Sequence, residues 1–156
     1  PAELPRAELL AAAGPRPPGG RRGLVIDDEA AIRVAIRRYL ERRGWQVDEA
    51  QNGREALDRL GLGKPDAQPG SERYDAIVSD LRMPGMSGME LHDLLATHDP
   101  AALGKLVVIS GDTASAEIAA FVTRLRQPII QKPFDMRTLA DLLDRTAPPR
   151  AAPAAP

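Results

Sequence analysis

Short apolar runs of three to six residues alternate along this chain with segments whose apolar positions recur at helical spacing. That is the signature of repeated strand–helix units around a parallel sheet. The runs at 23–26, 76–79, 105–110 and 129–131 and the alternating stretch 45–50 are predicted strands, and the periodic segments at 29–43, 54–60, 88–97, 114–126 and 135–145 are predicted helices. In the first helix Ile32, Ala35, Ile36, Tyr39 and Leu40 make the apolar stripe, Arg33, Arg37, Arg38 and Arg42 fall mainly on the other side, and Gly44 stands as the stop. In the last, Met136, Leu139, Ala140 and Leu143 form the core face. The expected class is α/β, with five parallel strands, five helices and no internal repeat.

Composition narrows the folded part. Of the 15 prolines, five precede residue 23 and four follow residue 146, so nine lie outside the alternating pattern. The stretches 1–22 and 148–156, rich in Ala, Pro and Gly, are expected to be a linker or disordered leader and a disordered tail around a domain at 23–147. The polar, Gly- and Pro-bearing stretch 61–73 is an expected exposed loop. A net charge of −1 gives no global attraction to nucleic acid, and no basic, aromatic-laced strand appears. With no cysteine there is neither a disulfide framework nor a thiolate metal site, which fits a reducing cytoplasm. No apolar stretch is long enough to span a bilayer, so no membrane contact is expected of this segment.

The chemistry-bearing residues fall at predicted strand ends. Asp27 and Asp28 close the first strand, Asp80 the third, Ser110 the fourth, and Lys132 follows the fifth. Carboxyl ends of parallel strands converge in one crevice of an open α/β sheet. Three carboxylates that close suit a hard divalent cation such as Mg2+, which leaves coordination positions for phosphoryl oxygens. Asp80, opening a Pro- and Gly-shaped loop, is the natural nucleophile toward phosphorus, with Ser110 and Lys132 placed to meet phosphoryl oxygens. Met83, Met86 and Met89 read as packing or loop residues, and His92 and His98 as surface or partly buried helix residues.

Four ordered motifs, Ile26-Asp27-Asp28-Glu29, Ser79-Asp80-Leu-Arg-Met-Pro-Gly-Met-Ser-Gly88, Ile109-Ser110-Gly-Asp112 and Lys132-Pro133-Phe134, together resemble the receiver domain of two-component response regulators. The resemblance implies a doubly wound, flavodoxin-like receiver fold that takes a phosphoryl group from a phosphohistidine onto Asp80 with Mg2+, catalysing its own phosphorylation and dephosphorylation. By position it implies that Asp28 and Asp80 touch Mg2+ directly, Asp27 acts through water, and the Arg82 backbone carbonyl is a further ligand. Ser110 and Lys132 then hold the phosphoryl oxygens, and Lys132-Pro133 is a cis peptide. The implied partners are a histidine kinase or a histidine phosphotransfer domain, with a homodimer through the fourth and fifth predicted helices and a cytoplasmic location.

Ser110-Gly-Asp112-Thr-Ala114 is similar, more narrowly, to receivers at the C-terminus of hybrid sensor histidine kinases; a stand-alone single-domain response regulator is the alternative. Ile129 stands where many receivers carry an aromatic switch residue, so weak rearrangement of the fourth helix and fifth strand is expected. An aspartyl-nucleophile phosphatase of the haloacid dehalogenase type would need an acid two residues after Asp80, where Arg82 stands. A phosphate-independent interaction domain would tend to lose the acidic or lysine positions, and this chain keeps them.

Overall fold

In a computed structural model of the chain, described over residues 20–62, 73–111 and 115–148, the elements alternate as the periodicity predicts. The strands are β1 (Arg22–Ile26), β2 (Gln46–Ala50), β3 (Ala76–Asp80), β4 (Leu106–Ser110) and β5 (Ile129–Gln131). The helices are α1 (Ala30–Arg42), α2 (Gly53–Arg59), α3 (Gly88–His98), α4 (Pro100–Leu103), α5 (Ala116–Arg124) and α6 (Met136–Thr146). The strands form one parallel sheet in the order β2-β1-β3-β4-β5. Successive units therefore wind outward in both directions, and the order reverses between β1 and β3, where such sheets open a crevice.

The alternation of side chains along a strand sorts the core into two layers. Leu24, Ile26, Ile77, Leu106 and Val108 face α2, α3 and α5 through Ala56, Leu60, Leu91, Leu95, Ile118 and Phe121. Val25, Ala76, Val78, Val107 and Ile109 face α1 and α6 through Ile36, Leu40, Leu139, Ala140 and Leu143. β3 and β4 are buried along their whole length, whereas β2 and β5 at the edges are only partly covered.

Several expectations need correction. A sixth helix, α4, is present: Asp99 accepts from the Ala102 N–H at 3.2 Å and Pro100 opens the turn, a capping signal that the four-residue apolar pattern was too short to disclose. β1 begins at Arg22, and Arg21 is buried beside it, so the folded unit reaches into the stretch expected to be leader. Ala35 lies exposed, outside the buried stripe of α1. Arg33 and Arg37 turn to the edge strand and pair with Glu49 instead of facing solvent freely. The start of the fourth predicted helix at Ala114, the leader through residue 19, most of the 61–73 loop and the tail beyond Pro148 lie outside the described residues.

Candidate functional site

Three strand ends bring the acidic residues together. Asp27 follows β1, and its N–H donates to the Ala50 carbonyl of β2 at 3.1 Å, so the sheet continues one residue into the site. Asp80 is the last residue of β3 and sits opposite Ile109 on β4. One carboxylate oxygen each of Asp27, Asp28 and Asp80 lies within 4.8 Å of the others. Asp27 and Asp80 are buried and Asp28 is exposed, so the cluster opens to solvent on one side.

Lys132 closes the opposite side. Its Nζ donates to Asp80 Oδ2 at 3.0 Å and lies 3.7 Å from Asp27 Oδ2 and 3.8 Å from Glu29 Oε1. Its backbone N–H donates to the Ser110 carbonyl at 2.8 Å, coupling the end of β4 to the lysine. The peptide Lys132–Pro133 is cis, as the resemblance implies. Ser110 is itself buried at the end of β4.

The loop after Asp80 is folded tightly against it. The Arg82 N–H donates to Asp80 Oδ1 at 3.3 Å, and the Gly88 N–H donates to the Leu81 carbonyl at 2.9 Å. A Cβ at Gly88 would lie 2.2 Å from the Asp80 carbonyl oxygen, so this return path requires glycine. Ser87 then caps α3 by accepting from the Glu90 N–H at 3.2 Å. An open groove of about 530 Å³ runs beside Asp28 over Arg82, Met83 and Pro84 toward Ser115 and Ile118, which leaves the acidic cluster accessible.

The electrostatics follow from burial. Asp27 Oδ1 accepts the Glu29 N–H at 2.8 Å, while Asp27 Oδ2 is buried without a hydrogen-bond partner. Desolvation pushes the Asp27 carboxyl above its usual range; the Glu29 N–H and Lys132 oppose this, and the charges of Asp80 and Asp28 add to it. Burial pulls the other way on Lys132, yet its hydrogen bond to Asp80 and the nearby Asp27 and Glu29 carboxylates outweigh that and hold its ammonium above its usual value. Hard oxygens, an orphaned buried carboxylate oxygen and surplus negative charge are the donor set a small divalent cation favours.

The structure brings together all the predicted strand-end groups: Asp27, Asp28, Asp80, Ser110 and Lys132. It adds Glu29 beside Lys132, and Arg33, whose Nη1 donates to the Asp27 carbonyl at 2.7 Å. Glu29 was visible in the sequence as the third acid of a run, but nothing in the pattern of α1 singles out Arg33. The remaining candidates stand apart. Met83 is buried, Met86 packs at Gly53, Met89 abuts the core, His98 is exposed, and His92 is buried edge-on to Phe121 with its ring nitrogens at Asp93 and Gln127.

A doubly wound parallel sheet with three carboxylates and a lysine at the carboxyl ends of its strands places the chain among α/β domains that carry an acidic site at the strand ends. Residues 24–144 match the family model of the response regulator receiver domain, and the chain belongs to that family. It is 35% identical over 130 residues to the response regulator MprA of Mycolicibacterium vanbaalenii, covering 80% of this chain and 51% of that protein. Against MprA of Mycobacterium tuberculosis it is 35% identical over 134 residues, covering 83% and 53%. The chain thus spans about half the length of these curated relatives. Among solved structures it resembles a response regulator receiver protein from Pseudomonas putida, with a TM-score of 0.67, 31% identity and coverage of 85% of this chain and 99% of that one. The chemotaxis protein CheY4 of Vibrio cholerae is similar at a TM-score of 0.64, 26% identity and coverage of 81% and 98%.

Proposed function

We propose that this receiver domain accepts a phosphoryl group on Asp80 from a phosphohistidine donor, on a histidine kinase or a histidine phosphotransfer domain. The observation that carries the reading is the meeting of three carboxylates within 4.8 Å with the Lys132 ammonium 3.0 Å from Asp80. An Asp80 carboxylate oxygen forms the new O–P bond as the donor's N–P bond breaks; the electron pair returns to the imidazole nitrogen, which is protonated from solvent. Lys132, with three donors on Nζ, neutralises charge on the transferred group, and Ser110 supplies a hydroxyl from the neighbouring strand. The fold holds Asp80 in place through the β3–β4 pairing and the Arg82 N–H, so little reorganisation is needed.

Mg2+ fits the residues present. The resemblance to receiver domains makes Asp28, Asp80 and the Arg82 carbonyl the proposed direct ligands and Asp27 an indirect one, and the clustering of the three carboxylates with one Asp27 oxygen lacking a hydrogen bond supports a cation there. When bound, the cation supplies positive charge opposite the phosphoryl oxygens. Hydrolysis of the acyl phosphate at the same site belongs to the proposal.

Finer placements rest on sequence likeness. Origin in a hybrid sensor histidine kinase rests on the likeness of Ser110-Gly-Asp112-Thr-Ala114, of which 112–114 lie outside the described residues; the similarity to response regulators such as MprA supports the alternative, a stand-alone response regulator. A homodimer through α5 and α6 and action in the cytoplasm complete the proposal. Among the described residues no helix is long and apolar enough to cross a membrane. Incubation with Mg2+ and a small phosphodonor is expected to add one phosphate by intact mass. Asp80→Asn abolishes it, and retained labelling in that variant rejects Asp80 as the acceptor.

A further inference from the structure

Two arginines of α1 converge on one acid of the edge strand. Glu49 stands in register with Val25 of β1, one residue short of the pair that leads into Asp27. Its Oε1 accepts from Arg33 Nε at 2.9 Å, and its Oε2 lies 2.9 Å from Arg37 Nε. Arg33 then uses a second arm of the same guanidinium, Nη1, to donate to the Asp27 carbonyl at 2.7 Å. The Arg33 side chain is only 15% exposed, so this is a built contact and not a surface excursion.

That carbonyl belongs to the peptide joining Asp27 to Asp28, and its orientation sets the direction in which Asp28 leaves the strand. The N–H of Asp27 donates to the Ala50 carbonyl and its Oδ1 accepts the Glu29 N–H, while Oδ2 has no hydrogen bond and lies 3.7 Å from Lys132 Nζ. The carbonyl takes its hydrogen bond from a side chain, Arg33 Nη1 of α1. A guanidinium can bond a carbonyl and a carboxylate at once through its planar fork, whereas an ammonium cannot reproduce that geometry.

We propose that Arg33, itself oriented by Glu49, is a positioning residue that aims the Asp27–Asp28 pair at the cation site. The proposal rests on the Mg2+-dependent reading above. Outer-shell partners that orient ligands typically change metal affinity by about 10–100-fold when removed, and Arg33 is assigned to that class although it touches no proposed ligand atom. Arg37 pairs with Glu49 and Glu41 and not with Asp27, which makes it the internal control.

The test is Mg2+ titration by calorimetry on the whole chain, with wild type, Arg33→Lys, Glu49→Gln and Arg37→Ala compared. Amide chemical shifts of Asp27 and Asp28 are recorded in EDTA alongside. Arg33→Lys is expected to weaken Mg2+ binding about tenfold and to move both amides before any metal is added. Glu49→Gln shifts both readouts in the same direction by less, and Arg37→Ala loses thermal stability with unchanged affinity. Wild-type affinity and wild-type amide shifts in Arg33→Lys overturn the positioning role. Should Arg33→Lys fail to fold, Glu49→Gln with unaltered affinity and shifts overturns it equally. Absence of Mg2+ binding by wild-type protein, in contrast, overturns the functional reading and this inference with it.

Discussion

Asp27 treats its two carboxylate oxygens unequally: one accepts a backbone N–H, and the other is buried without a hydrogen bond beside two more acids. Its carboxyl is therefore held above its ordinary 3.8 by desolvation, and by Asp80 and Asp28. A raised folded value means that the folded state keeps this proton more tightly than the unfolded chain. The contribution is fully present below 3.8 and is lost as pH rises through the raised value. In EDTA, thermal melts are expected to show this loss between the ordinary and the raised value, and Asp27→Asn to flatten it and melt a few degrees higher at neutral pH. A hundredfold excess of Mg2+ over its dissociation constant adds ~2.7 kcal/mol to the wild type and less to the variant. A wild-type melting profile indistinguishable from that of Asp27→Asn across this range would refute the strained-carboxylate account.

Among the elements, the β3–α3 connection carries the tightest steric demand at the site. The loop leaves Asp80, passes Pro84 and Gly85 with its φ of 78°, and returns so closely that Gly88 lies on the Asp80 peptide. Gly88→Ala places a methyl 2.8 Å from the Leu81 Cα as well as against the Asp80 carbonyl, so backbone must shift. The expected cost is about 1–3 kcal/mol in denaturant melts, together with slower phosphorylation. Gly104→Ala, whose nearest neighbour would be 3.5 Å away, is the tolerant comparison. Equal stability of the two variants would show that the return path is pliable. The short helix α4 leaves no helical trace in the sequence, because one turn capped by Asp99 has too few residues for periodicity to register.

At the scale of the whole molecule, the two chain ends of the folded unit are tied at the pole away from the acidic cluster. The Arg21 guanidinium lies 4.4 Å over the Trp45 ring, donates to Asp144 Oδ1 at 2.7 Å and donates to the Ala147 carbonyl at 3.0 Å. Asp144 also takes Arg43 at 3.3 Å, and these two arginines lower its carboxyl against the opposing effect of burial. Charge-assisted bonds of this kind make Arg21→Ala cost about 2 kcal/mol in urea unfolding. Because the clamp lies at the start of β1 and the site at its end, Mg2+ affinity is expected to stay within about twofold of wild type; a larger loss would mean that the two poles are mechanically coupled.

How much of this was legible beforehand depends on range. Apolar runs and helical spacing reported the strands and the placing of Asp27, Asp28, Asp80, Ser110 and Lys132 at strand ends, because burial periodicity is a local property of each element. The motif order was enough to anticipate the cis Lys132–Pro133 bond and the receiver family. What only the tertiary structure decided was the choice of partners: that Arg33 and Arg37 turn to Glu49, that Arg21 reaches Asp144, and that Lys132 bonds Asp80 while one Asp27 oxygen is left without a hydrogen bond. An ion pair is set by the register between strands distant in sequence, such as Val25 opposite Glu49, and no one-dimensional pattern contains that register.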